Sequence, residues 1–329
     1  MFGRSLLDAG RTPDRDRFGA RVQMPALEWA PPGRVAQWES ARFTRERSQV
    51  RNPPRPLSEL HLNDPQTLYR HWEDAQWNPW AIDLARDREQ WAAMEDRSLI
   101  EFVLGSLMVA EERITTKFSG LVGAHDSEEE ATFLATQQVD EARHMQFYAR
   151  FQDEVVAAPA QIGAHVSRAR ALVSPAFRTI FDKKLVAADE RLRTNPTDST
   201  AKVAFVTIYH LILEATLGLT TFEFTTGFLQ RESLLPGFVS GYTKIHHDEQ
   251  RHIAYGVWFL REAVAGDAGM GGIVRATLRE LLPAVAESLT LPTGADPSLL
   301  GASQEELRSF ALDGLRRRMS IIGVPLDTL

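Results

Sequence analysis

Cysteine is absent from this chain of 329 residues, which removes disulfide scaffolds, thiolate zinc sites, iron–sulfur clusters and cysteine nucleophiles from consideration. Any metal held here is held by oxygen and nitrogen. No run of eighteen apolar residues occurs, so stable membrane insertion is not expected. The opening Met-Phe-Gly-Arg-Ser-Leu-Leu-Asp lacks a secretory apolar core, and a cytoplasmic location is expected. A general basic excess is also missing. Residues 1–55 hold eleven Arg and six acids, a net of +5, which leaves −12 for the remainder within a total of −7. An acidic body of this kind is a poor partner for nucleic acid.

Residues 1–55 read as a basic, Pro- and Arg-rich arm, partly disordered or lying on the body; through Pro56 it carries seven of the seventeen prolines and shows no sustained helical period. Residues 56–329 read as one helical domain, and 43% hydrophobic residues suffice for a sizeable core. From Leu57 to Trp91 short helices and turns are expected, with Trp77 in a loop leading into a helix that has proline near its start. A helix is expected over Asp96–Val122, where Ile100, Leu104, Leu107, Ile114, Phe118 and Leu121 recur at three- and four-residue steps. Glu111 stands in that apolar row, and Glu112 is off it.

The next helix, about Glu128–Val156, has an inward row of Leu134, Gln137, Glu141, His144, Tyr148, Phe151 and Val155. Ala157–Ser174 reads as a break of small residues, and Pro175 opens another helical segment. Thr200–Leu229 is apolar nearly all round, as a central buried helix should be, with Glu214 in its middle. Glu223 lies nine residues on, half a turn out of phase. After Pro236-Gly237 a fourth long helix carries Tyr242, Ile245, Glu249, His252 and Gly256 along one row, and a Leu291–Pro297 loop divides the remainder.

Two Glu-x-x-His copies stand out, Glu141 with His144 and Glu249 with His252. Residues three apart on a helix point the same way, so each copy offers a carboxylate and an imidazole to one point. Glu111 and Glu214 complete the ligand set of a ferritin-like dinuclear carboxylate bundle, an all-α fold with additional helices here. Four inward glutamates call for protonation, arginine partners or cations; no basic residue sits on their rows, two divalent metals are expected, and the mixed carboxylate–imidazole set suits iron and manganese. Glu111, Glu141 and His144 are expected at one ion, Glu214, Glu249 and His252 at the other, with Glu141 and Glu249 as bridges. His210, one turn before Glu214, is expected to donate a hydrogen bond beside the site, and Asp248 to orient a ligand imidazole. His246 and His247 are expected to face solvent or neighbouring helices.

The stretches Gln76–Arg88, Ala110-Glu111-Glu112, Asp140–His144 and Asp248–His252, with Asp296–Leu300 and Leu315–Met319, resemble the ribonucleotide reductase small-subunit superfamily, and within it the ligand-binding oxidases. The resemblance spans roughly residues 65–325. It implies one manganese and one iron ion, or two irons, reacting with dioxygen, and a homodimer. It further implies a long-chain fatty acid or similar apolar ligand at the metals, and a two-electron oxidation. In that family a valine three residues after the first ligand is joined by an ether to a tyrosine five residues before the third glutamate; here the pair is Ile114 and Tyr209. Isoleucine departs from valine but keeps a tertiary Cβ–H. Tyr148 stands where reductase subunits keep a radical tyrosine, and Trp77, Asp248 and His144 resemble their inner electron-transfer chain.

A reductase subunit storing a radical at Tyr148 ranks second, because no tyrosine follows Tyr255. A metal- or lipid-binding protein without catalysis ranks third, since fold does not fix function.

Overall fold

The computed structural model describes residues 60–156, 159–290 and 302–326. The arm over 1–55, the Leu291–Pro297 loop and the Asp296–Leu300 stretch lie outside them. Every regular element among the described residues is helical.

Short elements come first: α1 (Pro65–Glu73), a 3₁₀ turn at Pro79–Ala81 and α2 (Ala85–Ala93). Proline opens the first two, where its missing N–H leaves nothing unsatisfied. α3 (Ser98–Thr116) and α4 (Ser119–Gly123) replace the single helix expected over Asp96–Val122. The cause is Asp189 of α8 (Val186–Thr194), fully buried, whose carboxylate accepts the Gly120 amide at 3.0 Å and draws the chain out of line.

α5 (Glu128–Phe151) starts on Ser127, whose side chain accepts from the Glu130 amide, and Glu128, Glu129 and Glu130 complement the positive helix end. It continues through a π turn at Gln152–Val156. Within the expected break, the chain folds into α6 (Ile162–Ala169). Its small residues serve close packing rather than interruption: a Cβ on Gly105 of α3 would lie 3.4 Å from Ala169 Cβ. α7 (Pro175–Arg178) and a π stretch at Thr179–Leu185 lead into α8.

A continuous helix from Ser199 to Arg231 follows: α9 (Ser199–Val206), a π-helical stretch at Thr207–Gly218 and α10 (Leu219–Arg231). By length and composition it could cross a membrane, yet 89% of its most apolar window is buried inside the protein. It is the central helix of the bundle. α11 (Pro236–Gly266) begins where the buried Asp87 carboxylate accepts from the Gly237 and Phe238 amides at 2.7 and 3.0 Å. α12 (Gly269–Ser288) and α13 (Gln304–Ile322) pack against the central helix and α11.

Two glycines of α11 set how closely its neighbours approach. A Cβ on Gly241 would lie 2.2 Å from the Phe147 ring of α5, and one on Gly256 would lie 2.2 Å from His210 Cβ on the π stretch. Gly241→Ala is therefore expected to cost about 1–3 kcal/mol, by forcing Phe147 and α5 away from α11. Urea unfolding followed by circular dichroism measures this; an unchanged midpoint would show that the contact is slack.

Candidate metal centre

The four helices bring the expected residues to one buried point: Glu111 from α3, Glu141 and His144 from α5, Glu214 from the π stretch, and Glu249 and His252 from α11. His144 Nδ1 lies 3.2 Å from Glu111 Oε1, 3.4 Å from Glu141 Oε2 and 3.5 Å from Glu249 Oε1. His252 Nδ1 lies 3.3 Å from Glu141 Oε1, 3.5 Å from Glu214 Oε1 and 3.6 Å from Glu249 Oε2. The site thus has two halves, and Glu141 and Glu249 turn one oxygen to each. Glu112 faces away, paired with Arg113 and Arg170, and Glu223 is exposed.

The donor set fits two divalent ions. Glu111 Oε1, Glu141 Oε2, Glu214 Oε2, Glu249 Oε2 and the Nδ1 atoms of His144 and His252 are all buried without a hydrogen-bond partner. A buried polar atom left so costs stability unless something else satisfies it. Glu111, Glu141 and His144 form one group with metal-ligand spacing, and Glu141, Glu214, Glu249 and His252 another.

Electrostatics agree with this frustration. Burial pushes Glu111 up to about 8 and raises Glu214 and Glu249, helped by Glu249 and Glu141 respectively. Glu141 is held low instead: burial alone would raise it, but the close approach of both imidazoles outweighs that. Burial would lower His144 and His252, yet Asp248 and Asp140, together with the glutamates, hold both well above the ordinary imidazole value.

Behind the ligands stands a reciprocal arrangement. His144 Nε2 on α5 meets Asp248 Oδ2 of α11 at 3.1 Å, and His252 Nε2 on α11 meets Asp140 Oδ2 of α5 at 3.2 Å. Trp77 donates to Asp248 at 2.7 Å, Trp72 donates to Asp140 at 2.9 Å, and Arg251 Nη2 binds both aspartates. Asp248 and Trp77 stand where the sequence placed them. Asp140, Trp72 and Arg251 were missed; the Asp before each Glu of both motifs was the readable signal, whereas Trp72 had none. His210 reaches Glu214 through Gln137, which meets the His210 ring at 3.2 Å and donates to Glu214 at 3.1 Å. It is not a direct neighbour of the carboxylates.

Tyr209 donates its hydroxyl to Glu141 Oε1 at 2.8 Å. In a stretch whose hydrogen bonds run i to i+5, residues five apart share a face, so Tyr209 and Glu214 both turn inward. An apolar cavity of about 180 Å³ reaches the centre at Glu111, Glu214 and Glu249, and Ile114 and Tyr148 line it. His246 lines it too, stacked on Phe222 of the neighbouring α10 at 3.8 Å, as expected of a residue facing a neighbouring helix.

An all-helical bundle that carries Glu-x-x-His on each of two helices and a glutamate on each of two others belongs to the ferritin-like class of carboxylate proteins. Residues 57–311 match the family model "Ribonucleotide reductase, small chain", and the chain belongs to that family. Among solved structures it is similar to variants of an R2-like ligand-binding oxidase. One with an anaerobically reconstituted Mn/Fe cofactor gives a TM-score of 0.69 at 22% identity, covering 79% of this chain and 93% of that chain. Another, reconstituted aerobically with Mn/Fe, gives 0.71 at the same identity and coverage. At this identity the likeness shows the fold.

Two outcomes are expected. Asp140→Ala and Asp248→Ala should each weaken metal binding about 10–100-fold, because each removes the acceptor that orients one ligand imidazole; chelator competition measures it, and affinity unchanged in both would remove the aspartates from the site. In the metal-free protein, Glu111 favours folding only while protonated, so its contribution fades from the ordinary 4.5 up through about 8. The raised imidazoles favour folding only while charged and lose their contribution in the same direction, from 6.5 upward. Glu141, held low, keeps its contribution throughout that window. The melting temperature of the metal-free protein should therefore fall from about pH 5 to about pH 9, and saturating metal should abolish the fall.

Proposed function

We propose that this protein is a dioxygen-using dimetal carboxylate oxidase or oxygenase. In this reading it holds one manganese and one iron ion, with two irons as the alternative, and takes a long-chain fatty acid or similar apolar ligand. The observation that carries the reading is the pair of glutamates, Glu141 and Glu249, each sharing its oxygens between two half-sites beside an apolar cavity. The Mn/Fe cofactors of the structurally similar R2-like ligand-binding oxidases support the choice of metals.

Glu111, Glu141 and His144 would hold one ion, Glu214, Glu249 and His252 the other, with Glu141 and Glu249 between them. When bound, the ions supply the binding and two-electron reduction of dioxygen. The chain supplies the rest. Asp248 and Asp140 accept from the Nε2 atoms of His144 and His252, which fixes the tautomers that leave both Nδ1 atoms free as ligands. Ile114, Leu213, Leu217 and Phe222 in the cavity wall exclude water and place an alkyl chain next to Glu111 and Glu249. Tyr209 keeps its phenolic proton against Glu141, where burial raises the phenol well above its ordinary value.

An ether between the Tyr209 oxygen and Ile114 Cβ belongs to the same reading. Its formation removes the phenolic hydrogen and the tertiary Cβ hydrogen; these two protons and two electrons pass to dioxygen, giving hydrogen peroxide. Ile114 lies in the cavity wall and Tyr209 is fully buried on Glu141, so both groups are shielded from water.

The second reading, a reductase subunit with a radical at Tyr148, has the Trp77–Asp248–His144 chain in its favour. Against it, the Tyr148 hydroxyl has no hydrogen-bond acceptor among the described residues to take its proton.

The test is metal analysis after aerobic loading with both metals and removal of loosely bound ions, with peptide mass mapping of the same sample. One manganese and one iron per chain, and a Tyr209–Ile114 linked peptide lost in Tyr209→Phe, are expected. Two irons and no linked peptide would favour the reductase-like reading, and no tightly held metal would sink both.

A further inference from the structure

Three of the chain's five tyrosines have acceptors: Tyr69 donates to Glu73, Tyr209 to Glu141 and Tyr255 to Glu130. Tyr148 and Tyr242 do not. Their side chains are 3% and 4% exposed, and neither hydroxyl forms a hydrogen bond with any described residue. Both line the cavity that reaches Glu111 and Glu249, with their rings 6.5 Å apart and edge to face. A third polar group stands on the same wall. The His246 ring lies flat on Phe222, its Nε2 is engaged by Gln250 at 2.9 Å, and its Nδ1 is buried without a partner.

Phenylalanine at positions 148 and 242 would fill the same space against Phe238 and Phe222 and bury no hydroxyl. The two phenols instead line a largely apolar cavity without a bond to a described side chain, and such groups are expected to meet a partner on whatever fills it. A simple fatty acid would not provide it, because beyond its carboxylate it offers only methylenes.

We propose that the ligand of this cavity is an oxygenated acyl chain, bearing a hydroxyl or keto oxygen close to the end that faces Glu111 and Glu249, and that Tyr148 and Tyr242 donate hydrogen bonds to that oxygen. The proposal rests on the apolar-acid reading above and narrows it. His246 Nε2 accepts from the Gln250 amide, so its Nδ1 carries the ring hydrogen and is a third donor on the same wall. The two tyrosines act as specificity residues, since a site built to bond an oxygen discriminates against the analogue without it.

Isothermal titration of the metal-loaded, delipidated full chain with palmitate, 2-hydroxypalmitate and 3-hydroxypalmitate tests this. At least one hydroxy acid is expected to bind about tenfold tighter than palmitate, the size of effect that one or two added hydrogen bonds provide. The double variant Tyr148→Phe/Tyr242→Phe should lose the preference, binding the hydroxy acids no tighter than palmitate. Its ligand-free melting temperature should equal or exceed that of the wild type, whereas tyrosines bonded within the protein would lower it on removal. Equal binding of all three acids by the wild type overturns the proposal and leaves the apolar-acid reading standing, and so does a preference that survives in the double variant. No binding of any acid overturns both.

Discussion

Four carboxylates and two imidazoles buried at one point, with no lysine or arginine among them, form the constraint on which the rest of this structure depends. Such a cluster cannot be stable as a set of like charges in a low-dielectric interior. Protonation or cations must resolve it, and the unpartnered oxygen and Nδ1 atoms show that the protein does not resolve it with its own side chains. The positive charge nearby is kept one layer back: Arg251 binds Asp140 and Asp248 rather than the glutamates. That placement leaves room for ions at the centre while neutralising the carboxylates that orient the histidines.

The helices serve this centre in different ways. α5 and α11 carry the duplicated motif and meet closely because Gly241 yields space to Phe147. The central helix meets α11 at Gly256 and widens into a π stretch where Glu214 and Tyr209 must both face inward. Such widening is costly in an exposed helix and is tolerated where tertiary packing is dense on every side, as it is from Thr207 to Leu217.

Much of this was legible in the residues. Period and phase separated Glu111 from Glu112 and Glu214 from Glu223, because a polar residue on an apolar row is informative where a polar residue on a polar face is not. The six residues that meet at the centre followed from the same geometry. What stayed hidden depends on contacts distant in sequence. Trp72 lies 68 residues from Asp140, and nothing in its neighbourhood marks it. The break at Phe118 comes from an aspartate about seventy residues downstream, and the small residues of 157–174 read as punctuation because their use, close approach to Gly105, needs the third dimension. The cavity was equally invisible, since a void is a property of several helices and of no single one.

The crossed supports of the two histidines also bear on how the site can change. Each imidazole is steadied by an aspartate that sits next to a ligand of the opposite helix, and one guanidinium grips both aspartates. A shift of either motif helix is transmitted to the histidine of the other, so the halves behave as one mechanical unit with a single hinge pin. Neither half of the duplicated motif is free to drift toward a new task while the other keeps the old one. Diversification in such a protein is steered to the cavity wall, where Ile114, Tyr148, Tyr242 and His246 can vary without moving the frame.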